Sequence, residues 1–371
     1  MEKMKLKRYE VKNYKNFKDT FTMDFSKVRD YTFNTECINN GLIKNAIIYG
    51  KNAVGKSNFG KAILDITNHL VDNRKDQTSS ISYLNADSDS DRAWFRYTLC
   101  DECDEVIYEY EKDYFTQILS ENLFINGDVV FSYNYEKEDG DLSNLQKYEM
   151  GTLNWQFRDR SISILRYMAN NLQLSKSHPV RKLMTFVDGM LWFRSLGNSN
   201  EYIGFTNKLE NMDDYIIRNG FVPQFEDFLQ KYGVDEHLEA KADVTNRKNL
   251  YFKHKRYIPF SAASNGTNSL LTLYYWYLQM KKATFVFIDE FDAFYHFELA
   301  EELIKLAIKN LDIQVVFTSH NTNLLTNRFM RPDCCFILTR KKLSSFADAT
   351  PRVLQEGNNL EKLYMGGEFD G

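Results

Sequence analysis

Several features that would point to other classes of protein are scarce or absent in this chain. No apolar run approaches the roughly 20 residues needed to cross a bilayer, and the charged residues 1–5 lack the apolar core of a signal peptide. We therefore expect a cytoplasmic protein without a membrane partner. The five cysteines are an odd set rather than a disulfide framework. Cys100 and Cys103 lack the second ligand pair that a structural zinc site needs.

A strong excess of either charge is also missing. With 47 basic and 51 acidic residues, the net charge of −4 argues against a surface devoted entirely to nucleic acid. A local patch is still open, because residues 247–257 interleave basic and aromatic side chains as a single-strand or RNA contact would require. The same run also fits a strand with one solvated face. Arg247 and His254 can further be interpreted as the Arg-x-His pair of a metal-independent ribonuclease.

The most informative segment is an apolar run that leads into Gly-x-x-x-x-Gly-Lys-Ser, a pattern that predicts a phosphate-binding P-loop. Gly50 and Gly55 permit the tight turn that points backbone amides at phosphate oxygens. Lys56 would reach the β- and γ-phosphates, and Ser57 would offer a hydroxyl to Mg²⁺. The helix-compatible segment that follows favours this interpretation over a surface turn. The predicted nucleotide-binding residues here are Gly50, Lys51, Asn52, Ala53, Val54, Gly55, Lys56, Ser57 and Asn58.

A second nucleotide-binding element is predicted about 230 residues further along, where five apolar or β-branched residues, 284–288, precede two carboxylates. Buried strands of α/β sheets deliver ligand-binding groups at their carboxyl ends. Asp289 would therefore hold Mg²⁺ through its water shell, and Glu290 would polarise or orient the attacking water. This makes ATP and Mg²⁺ the expected cofactors.

Two further motifs suggest the class of P-loop protein. Ser264, Asn265 and Gly266 open a helix-compatible segment, and small residues at a helix start form an anion site. His320 follows another buried-type strand, residues 314–319. The order of P-loop, Ser-x-Gly helix, Asp-Glu strand and histidine strand is found in ABC-type ATPases.

The chain thus resembles ABC-type ATPases of the SMC, RecF and OLD group. It is most similar to the compact RloA- and AbiL-like abortive-infection ATPases of bacteria, which are related to AriA of PARIS systems. Residues 6–17 resemble the opening strand and aromatic turn of those proteins, and residues 357–367 resemble their tail. Nothing in the middle of the chain contributes to the resemblance.

The resemblance implies a mechanism. Two subunits would sandwich two ATP molecules, with Ser264, Asn265 and Gly266 of one subunit covering the nucleotide of the other. His320 would sense the γ-phosphate, and with Glu290 and Lys56 it completes the expected catalytic set. A glutamine that contacts Mg²⁺ is expected between the P-loop helix and the first hairpins, where Gln77 is the candidate, although its polar surroundings fit a solvated loop equally well.

The expected fold is α/β: an ABC-ATPase-like P-loop fold with an antiparallel β layer and an inserted helical lobe. Residues 1–150 would form the N-terminal part of the ATPase domain, 151–250 the helical lobe and 251–371 the C-terminal part. Alternating strands are predicted between 93 and 133, with a hairpin turn at Asn126 and Gly127. Residues 161–168 and 180–193 are predicted to be helical, and the aromatic residues from Phe186 to Phe193 are expected in the core.

The resemblance also implies antiviral defence, in which a nucleotide-dependent sensor holds or releases a toxic effector. No acidic nuclease cluster follows His320, so we expect the effector, a nuclease or toxin, to be a separate polypeptide. A homodimer or higher homo-oligomer is the expected assembly. Two other functions stay open: a RecF-like DNA-binding repair ATPase and a stand-alone RNase toxin.

Overall fold

The computed structural model describes residues 3–71, 82–114, 117–151, 160–196, 199–204, 211–242, 247–292 and 297–369. The strands in these ranges are β1 (Lys5–Lys12), β2 (Phe21–Asp24), β3 (Ile38–Asn39), β4 (Leu42–Ile43), β5 (Asn45–Tyr49), β6 (Ala93–Cys100), β7 (Glu105–Tyr114), β8 (Gln117–Ile125), β9 (Asp128–Asn134), β10 (Asp139–Asp141), β11 (Met190–Leu196), β12 (Ser199–Gly204), β13 (Leu238–Ala242), β14 (Lys248–Phe252), β15 (Ile258–Pro259), β16 (Phe285–Asp289), β17 (Gln314–Thr318), β18 (Cys335–Leu338) and β19 (Leu343–Ser345). The helices are α1 (Lys56–Ile63), α2 (Thr67–Leu70), α3 (Ile164–Asn171), α4 (Pro179–Asp188), α5 (Met212–Arg218), α6 (Val222–Lys231), α7 (Asn265–Met280), α8 (Phe297–Asn310), α9 (Phe346–Ala349) and α10 (Leu360–Met365).

Two large sheets organise the described part of the chain. One has the order β12-β11-β16-β17-β5-β18-β19, in which β11, β16, β17, β5 and β18 run parallel and the edge strands are antiparallel. Every residue of β5, β16 and β17 is buried, as expected of parallel strands covered on both faces. The second sheet is antiparallel throughout, with the order β10-β9-β8-β7-β6-β1-β2. The predicted α/β fold with an antiparallel layer is confirmed.

Helix α1 packs between the two sheets. On one side, the Phe59 ring lies 5.7 Å from Tyr9 of the antiparallel sheet. On the other side, α1 approaches β16 so closely that a Cβ atom at Gly60 would lie 2.4 Å from the Phe287 ring. A glycine at this helix position therefore permits the close packing. Gln314, on β17, also joins the two sheets. Its side-chain oxygen accepts a hydrogen bond from the backbone N–H of Leu6 at 2.7 Å, and its side-chain nitrogen donates to the Leu6 carbonyl at 2.8 Å.

A buried ionic cluster anchors the far end of α1. Asp65 lies two residues beyond the helix and accepts hydrogen bonds from Tyr83 at 3.0 Å, Tyr110 at 2.9 Å and Lys112 at 2.7 Å. Both charged side chains are essentially inaccessible to solvent. Burial lowers the pKa of Lys112, and Asp65 opposes that shift. Because a buried pair is costly to break, this cluster fixes the helix to the antiparallel sheet.

The predictions of individual helices and turns are confirmed in part. Asn126 and Gly127 form the β8–β9 turn, with φ of 51° and 86°. The helix predicted over 180–193 is wrong beyond Asp188, because Gly189 ends α4 and the next residues form β11. A Cβ at Gly189 would lie 2.6 Å from Thr284, which explains why glycine stands there. A short buried apolar run does not reveal by periodicity whether it is helix or strand. The expectation that Phe186 and Phe193 lie in the core is confirmed.

The segment predicted as an inserted helical lobe is therefore not purely helical. It contains α3 to α6, but also β11, which lies inside the parallel sheet beside β16. Its last strands, β13 and β14, pair with β15 in a small antiparallel sheet. The middle of the chain thus contributes a strand to the parallel sheet itself. The predicted domain boundaries stay a prediction.

A buried carboxyl group ties the antiparallel sheet to α3. Glu121 of β8 accepts hydrogen bonds from Tyr135 at 3.0 Å, Ser163 at 3.2 Å and the Leu165 amide at 3.3 Å. Burial raises its pKa from 4.5 to about 7, although these hydrogen bonds oppose the shift. The folded protein therefore keeps a proton on Glu121 over a pH range in which the unfolded chain has lost it.

This difference in proton binding predicts a pH dependence of stability. The stabilisation from protonated Glu121 is complete below about pH 4.5 and disappears as the pH rises through about 7. Relative to Glu121→Gln, the free energy of unfolding of the wild type should fall between pH 5 and 7 by up to about 1.4 kcal/mol per pH unit. Urea denaturation at a series of pH values measures this. Parallel pH profiles for the two proteins would contradict it.

Candidate nucleotide-binding site

The carboxyl ends of β5, β16 and β17 lie at one edge of the parallel sheet. The P-loop follows β5, Asp289 ends β16 and is followed by Glu290, and His320 lies two residues beyond β17. Parallel pairing thus brings together three motifs that are far apart in sequence. One cleft is lined by the P-loop, Glu290 and His320, with Asn16 at its rim.

The P-loop turns through left-handed backbone at two residues before α1 begins. Ala53 has φ of 62° and Gly55 has φ of 108°, both in the left-handed region, and α1 begins directly at Lys56. A Cβ at Gly55 would also lie 3.0 Å from the Asn16 side chain. Asn16, from the turn after β1, accepts a hydrogen bond from Asn58. The antiparallel sheet therefore braces the loop through Asn16.

Lys56 is folded over its own loop. Its Nζ donates to the carbonyl oxygens of Gly50 at 2.7 Å and Lys51 at 3.2 Å, and it lies 3.0 Å from Nδ1 of His320. Burial lowers the pKa of Lys56, whereas Asp289 and neighbouring carboxylates raise it. A charged amine is thus held at the loop where phosphate oxygens would bind.

His320 connects Lys56 to Glu290. Because an ammonium group can only donate, Nδ1 of His320 accepts and Nε2 carries the hydrogen. Nε2 lies 3.3 Å from Oε1 of Glu290, so the ring donates to the carboxylate. Oε2 of Glu290 is paired with the Arg194 guanidinium. Burial raises the pKa of Glu290, but the hydrogen bonds from His320 and Arg194 outweigh it and leave the pKa below its usual value.

Thr318, the last residue of β17, links the two acids. Its hydroxyl donates to Oδ1 of Asp289 at 2.7 Å and accepts from the Glu290 amide at 2.8 Å. Glu290 has φ of 46°, an uncommon conformation for a residue with a side chain. The hydrogen bond from its backbone N–H to Thr318 stabilises this conformation. Burial raises the pKa of Asp289, and the Ser57 and Thr318 hydroxyls oppose that shift. The Thr318 hydroxyl thus orients the Asp289 carboxylate and the backbone of Glu290.

The residues present fit a magnesium ion. Asp289 is fully buried, and its Oδ2 has no hydrogen-bond partner of normal geometry among the described residues. An unsatisfied buried carboxylate oxygen beside the Ser57 hydroxyl is a suitable partner for a hard cation. The described residues hold no group of three or more acidic, histidine or cysteine ligands. Mg²⁺ would therefore take its remaining oxygens from nucleotide and water, as it commonly does.

The Ser-x-Gly segment is placed separately from this cleft. Ser264 is the N-cap of α7 and accepts from the Thr267 amide at 3.2 Å, with Asn265 and Gly266 in the first turn. Ser264 and Gly266 are exposed. None of the residues that line the P-loop cleft comes from this segment. Among the residues whose placement is described, the two motifs do not meet within one subunit.

Sequence reasoning missed several residues of the site. Arg194 gave no motif signal, because its place beside Asp289 arises from the unexpected pairing of β11 with β16. Asn16 and Thr318 were also missed as site residues. Asp292 accepts from Ser319 at 2.7 Å and supports the turn before His320. Gln77 lies outside the described residues.

The basic segment gives a mixed result. Lys253, His254, Lys255 and Arg256 are all exposed in the loop after β14. His254 lies 3.1 Å from Glu236, whereas Arg247 pairs with Asp214 at 2.9 Å. The two residues of the suggested ribonuclease pair thus have separate carboxylate partners. A ribonuclease role for Arg247 and His254 stays a prediction.

One family model matches most of the chain. Residues 46–326 match the family described as "AAA domain, putative AbiEii toxin, Type IV TA system". The match covers well over half of the chain. The chain belongs to this family. Its matched range begins in β5 and ends after His320, so it includes the P-loop, Asp289 and Glu290.

Other comparisons add little detail. A solved structure titled "Crystal structure of the SmcHead bound to the C-winged helix domain of ScpA" aligns with a TM-score of 0.46 and 16% identity, over 92% of this chain and 97% of that chain. No curated protein matches the sequence. Among the described residues of this AAA-family protein, no helix is both long and apolar enough to span a membrane.

The bridging hydroxyl can be tested directly. Thr318→Val keeps the side-chain shape but leaves the Glu290 amide and Asp289 Oδ1 without this partner. Unsatisfied buried polar groups cost about 1–3 kcal/mol each, so we expect a loss of that order in urea denaturation. Thr272→Val is the matched control, because its hydroxyl only supplements a helix carbonyl, that of Asn268. Equal effects of the two substitutions would refute the bridging role.

Proposed function

We propose that this protein binds Mg-ATP at the P-loop and hydrolyses it. The observation that carries the proposal is the convergence of Lys56, Glu290 and His320 on one cleft, although they come from three separate strand ends. Asp289, the last residue of β16, directly precedes Glu290. Phosphoryl transfer depends mainly on positioning and electrostatic stabilisation, and this cleft provides charged and hydrogen-bonding groups for both.

Each predicted residue has a proposed role. The amides of the P-loop from Gly50 to Asn58 would surround the phosphates, with Lys56 directed at the β- and γ-phosphates. Ser57 and Asp289 would hold Mg²⁺, which would offset negative charge on the phosphates. Glu290 would orient the attacking water, and His320 would contact the γ-phosphate. Phosphate would compete with His320 for Lys56, because His320 already contacts the ammonium group that phosphate would engage.

We further propose an ATP-dependent homodimer. The exposed start of the 16-residue helix α7 carries Ser264, whose side chain caps the Thr267 amide, and Gly266 beside it is exposed as well. Such a helix start favours an anion. Since this segment does not reach the P-loop cleft of its own subunit, the anion would be the nucleotide bound by a second copy. Ser264, Asn265 and Gly266 would then cover that nucleotide, and higher homo-oligomers can be built from such dimers.

The proposed biological role is regulation of a separate effector in a bacterial anti-phage system. The family description, with its reference to a toxin of a type IV toxin–antitoxin system, supports this role, as does the resemblance to abortive-infection ATPases. ATP binding and hydrolysis would control whether a nuclease or toxin partner is held or released. A RecF-like DNA-binding ATPase is the second candidate, favoured by the exposed basic loop at residues 253–256. The RNase alternative has no such support.

The enzymatic proposal predicts the behaviour of Glu290→Gln. This variant should bind ATP but lose most turnover, on the order of a hundredfold, because the amide cannot accept a proton from water. It should accumulate as an ATP-bound dimer, whereas Lys56→Ala should fail to bind ATP. Phosphate release and native mass, each with and without Mg-ATP, measure these outcomes. Wild-type turnover in both variants would reject the assigned site.

The regulatory proposal predicts a partner. Glu290→Gln, expressed with its genomic neighbours, should retain a neighbouring gene product in the ATP-bound dimer and release it without ATP. Lys56→Ala provides the matched nucleotide-free control. If the dimer retains no partner but binds duplex DNA in an ATP-dependent manner with steep salt sensitivity, the DNA-repair function gains the support instead.

A further inference from the structure

Arg194 reaches the site from a strand that no motif marks. It lies on β11, and the parallel register sets it opposite Asp289 of β16. Its side chain is 28% exposed and extends to the acid pair at the carboxyl ends of the strands. Parallel pairing therefore places a guanidinium beside the two carboxylates that the nucleotide chemistry would use.

The guanidinium contacts both acids unequally. Its Nη2 pairs with Oε2 of Glu290, while its Nε lies 4.0 Å from Oδ2 of Asp289. Nε is buried without a hydrogen-bond partner of normal geometry in the described chain. One cation thus offsets the repulsion between adjacent carboxylates and holds one of them directly. Arginine is suited to this position because its planar fork presents several donors in a fixed geometry.

Glu290 is held at three points. Its amide donates to Thr318, Oε1 faces His320 and Oε2 faces Arg194. His320 is also bonded to Lys56, a group that phosphate would engage, so that contact is expected to change when nucleotide binds. Arg194 makes the only described side-chain contact to this carboxylate that does not pass through His320.

We propose that Arg194 is a positioning residue for ATP hydrolysis, whose guanidinium holds the Glu290 carboxylate in one orientation while Lys56 and His320 exchange partners for phosphate. This inference rests on the proposed ATPase function. A carboxylate that orients water must keep its direction to within a fraction of an ångström, and loss of such support costs rate rather than binding. The effect of Arg194 should therefore appear in kcat and depend on Glu290.

The test compares Arg194→Ala and Arg194→Lys with the wild type in steady-state ATP hydrolysis. We expect kcat to fall at least about tenfold in Arg194→Ala, with KM within about threefold of the wild type. Arg194→Lys should recover part of kcat, since it keeps the charge but loses the fork. Arg96→Ala is the matched control: Arg96 is similarly exposed and pairs with Glu109 at 2.8 Å on the antiparallel sheet.

A double-mutant cycle asks whether Arg194 acts through Glu290. In a Glu290→Gln background, replacing Arg194 should cause little further loss of residual turnover, because the oriented carboxylate is already gone. Affinity for a fluorescent ATP analogue and the thermal unfolding midpoint are measured for every variant. Both should stay close to the wild-type values if Arg194 positions Glu290 rather than supports the fold. If Arg194→Ala does not fold, the same comparison of kcat and KM is made with Arg194→Lys and Arg194→Gln.

The outcomes separate the two proposals. A wild type that binds no ATP or does not hydrolyse it rejects the ATPase function itself. An active wild type with unchanged kcat in the Arg194 variants overturns the positioning role. A rise in kcat would show that the contact between Arg194 and Glu290 inhibits hydrolysis, and it would likewise overturn the positioning role. Additive losses in the double-mutant cycle would show that Arg194 does not act through Glu290.

Discussion

Parallel pairing of buried strands is the constraint on which the site depends. The strands β5, β17 and β16 are adjacent, and each ends at the same edge of the sheet. Their residues are buried along the whole length, so a shift of one strand would misplace side chains in the packing on both faces of the sheet. The register that satisfies the core therefore also sets the distances between Lys56, Glu290 and His320.

The antiparallel sheet supports α1, the helix that follows the P-loop. It contacts α1 at both ends, through Asn16 at the P-loop and through the buried Asp65–Lys112 pair beyond the last turn. The P-loop helix is thus fixed at its start and its end by elements other than the strand that precedes it. Because the loop is already ordered, less binding free energy is lost to ordering it when a ligand binds. This arrangement connects the large aromatic core to the nucleotide site.

The polar groups of the site form one continuous network. Lys56, His320, Glu290 and Arg194 follow one another in contact, and Thr318 joins Glu290 to Asp289. In a partly desolvated cleft, such charges stabilise each other more strongly than they would in water. A phosphate that takes Lys56 would replace the Lys56–His320 contact, whereas the contact between Arg194 and Glu290 does not involve Lys56.

Sequence by itself determined the P-loop from Gly50 to Ser57, the Asp289–Glu290 strand end and the antiparallel hairpins, because each depends on residue types within a short window. The glycines need particular φ angles, and the apolar runs need burial. Tertiary structure alone decided that residues 190–196 form a strand and that Arg194 meets Glu290. An apolar run of that length suits a helix or a strand equally, and only its pairing with β16 selects the strand and brings the arginine to the acids.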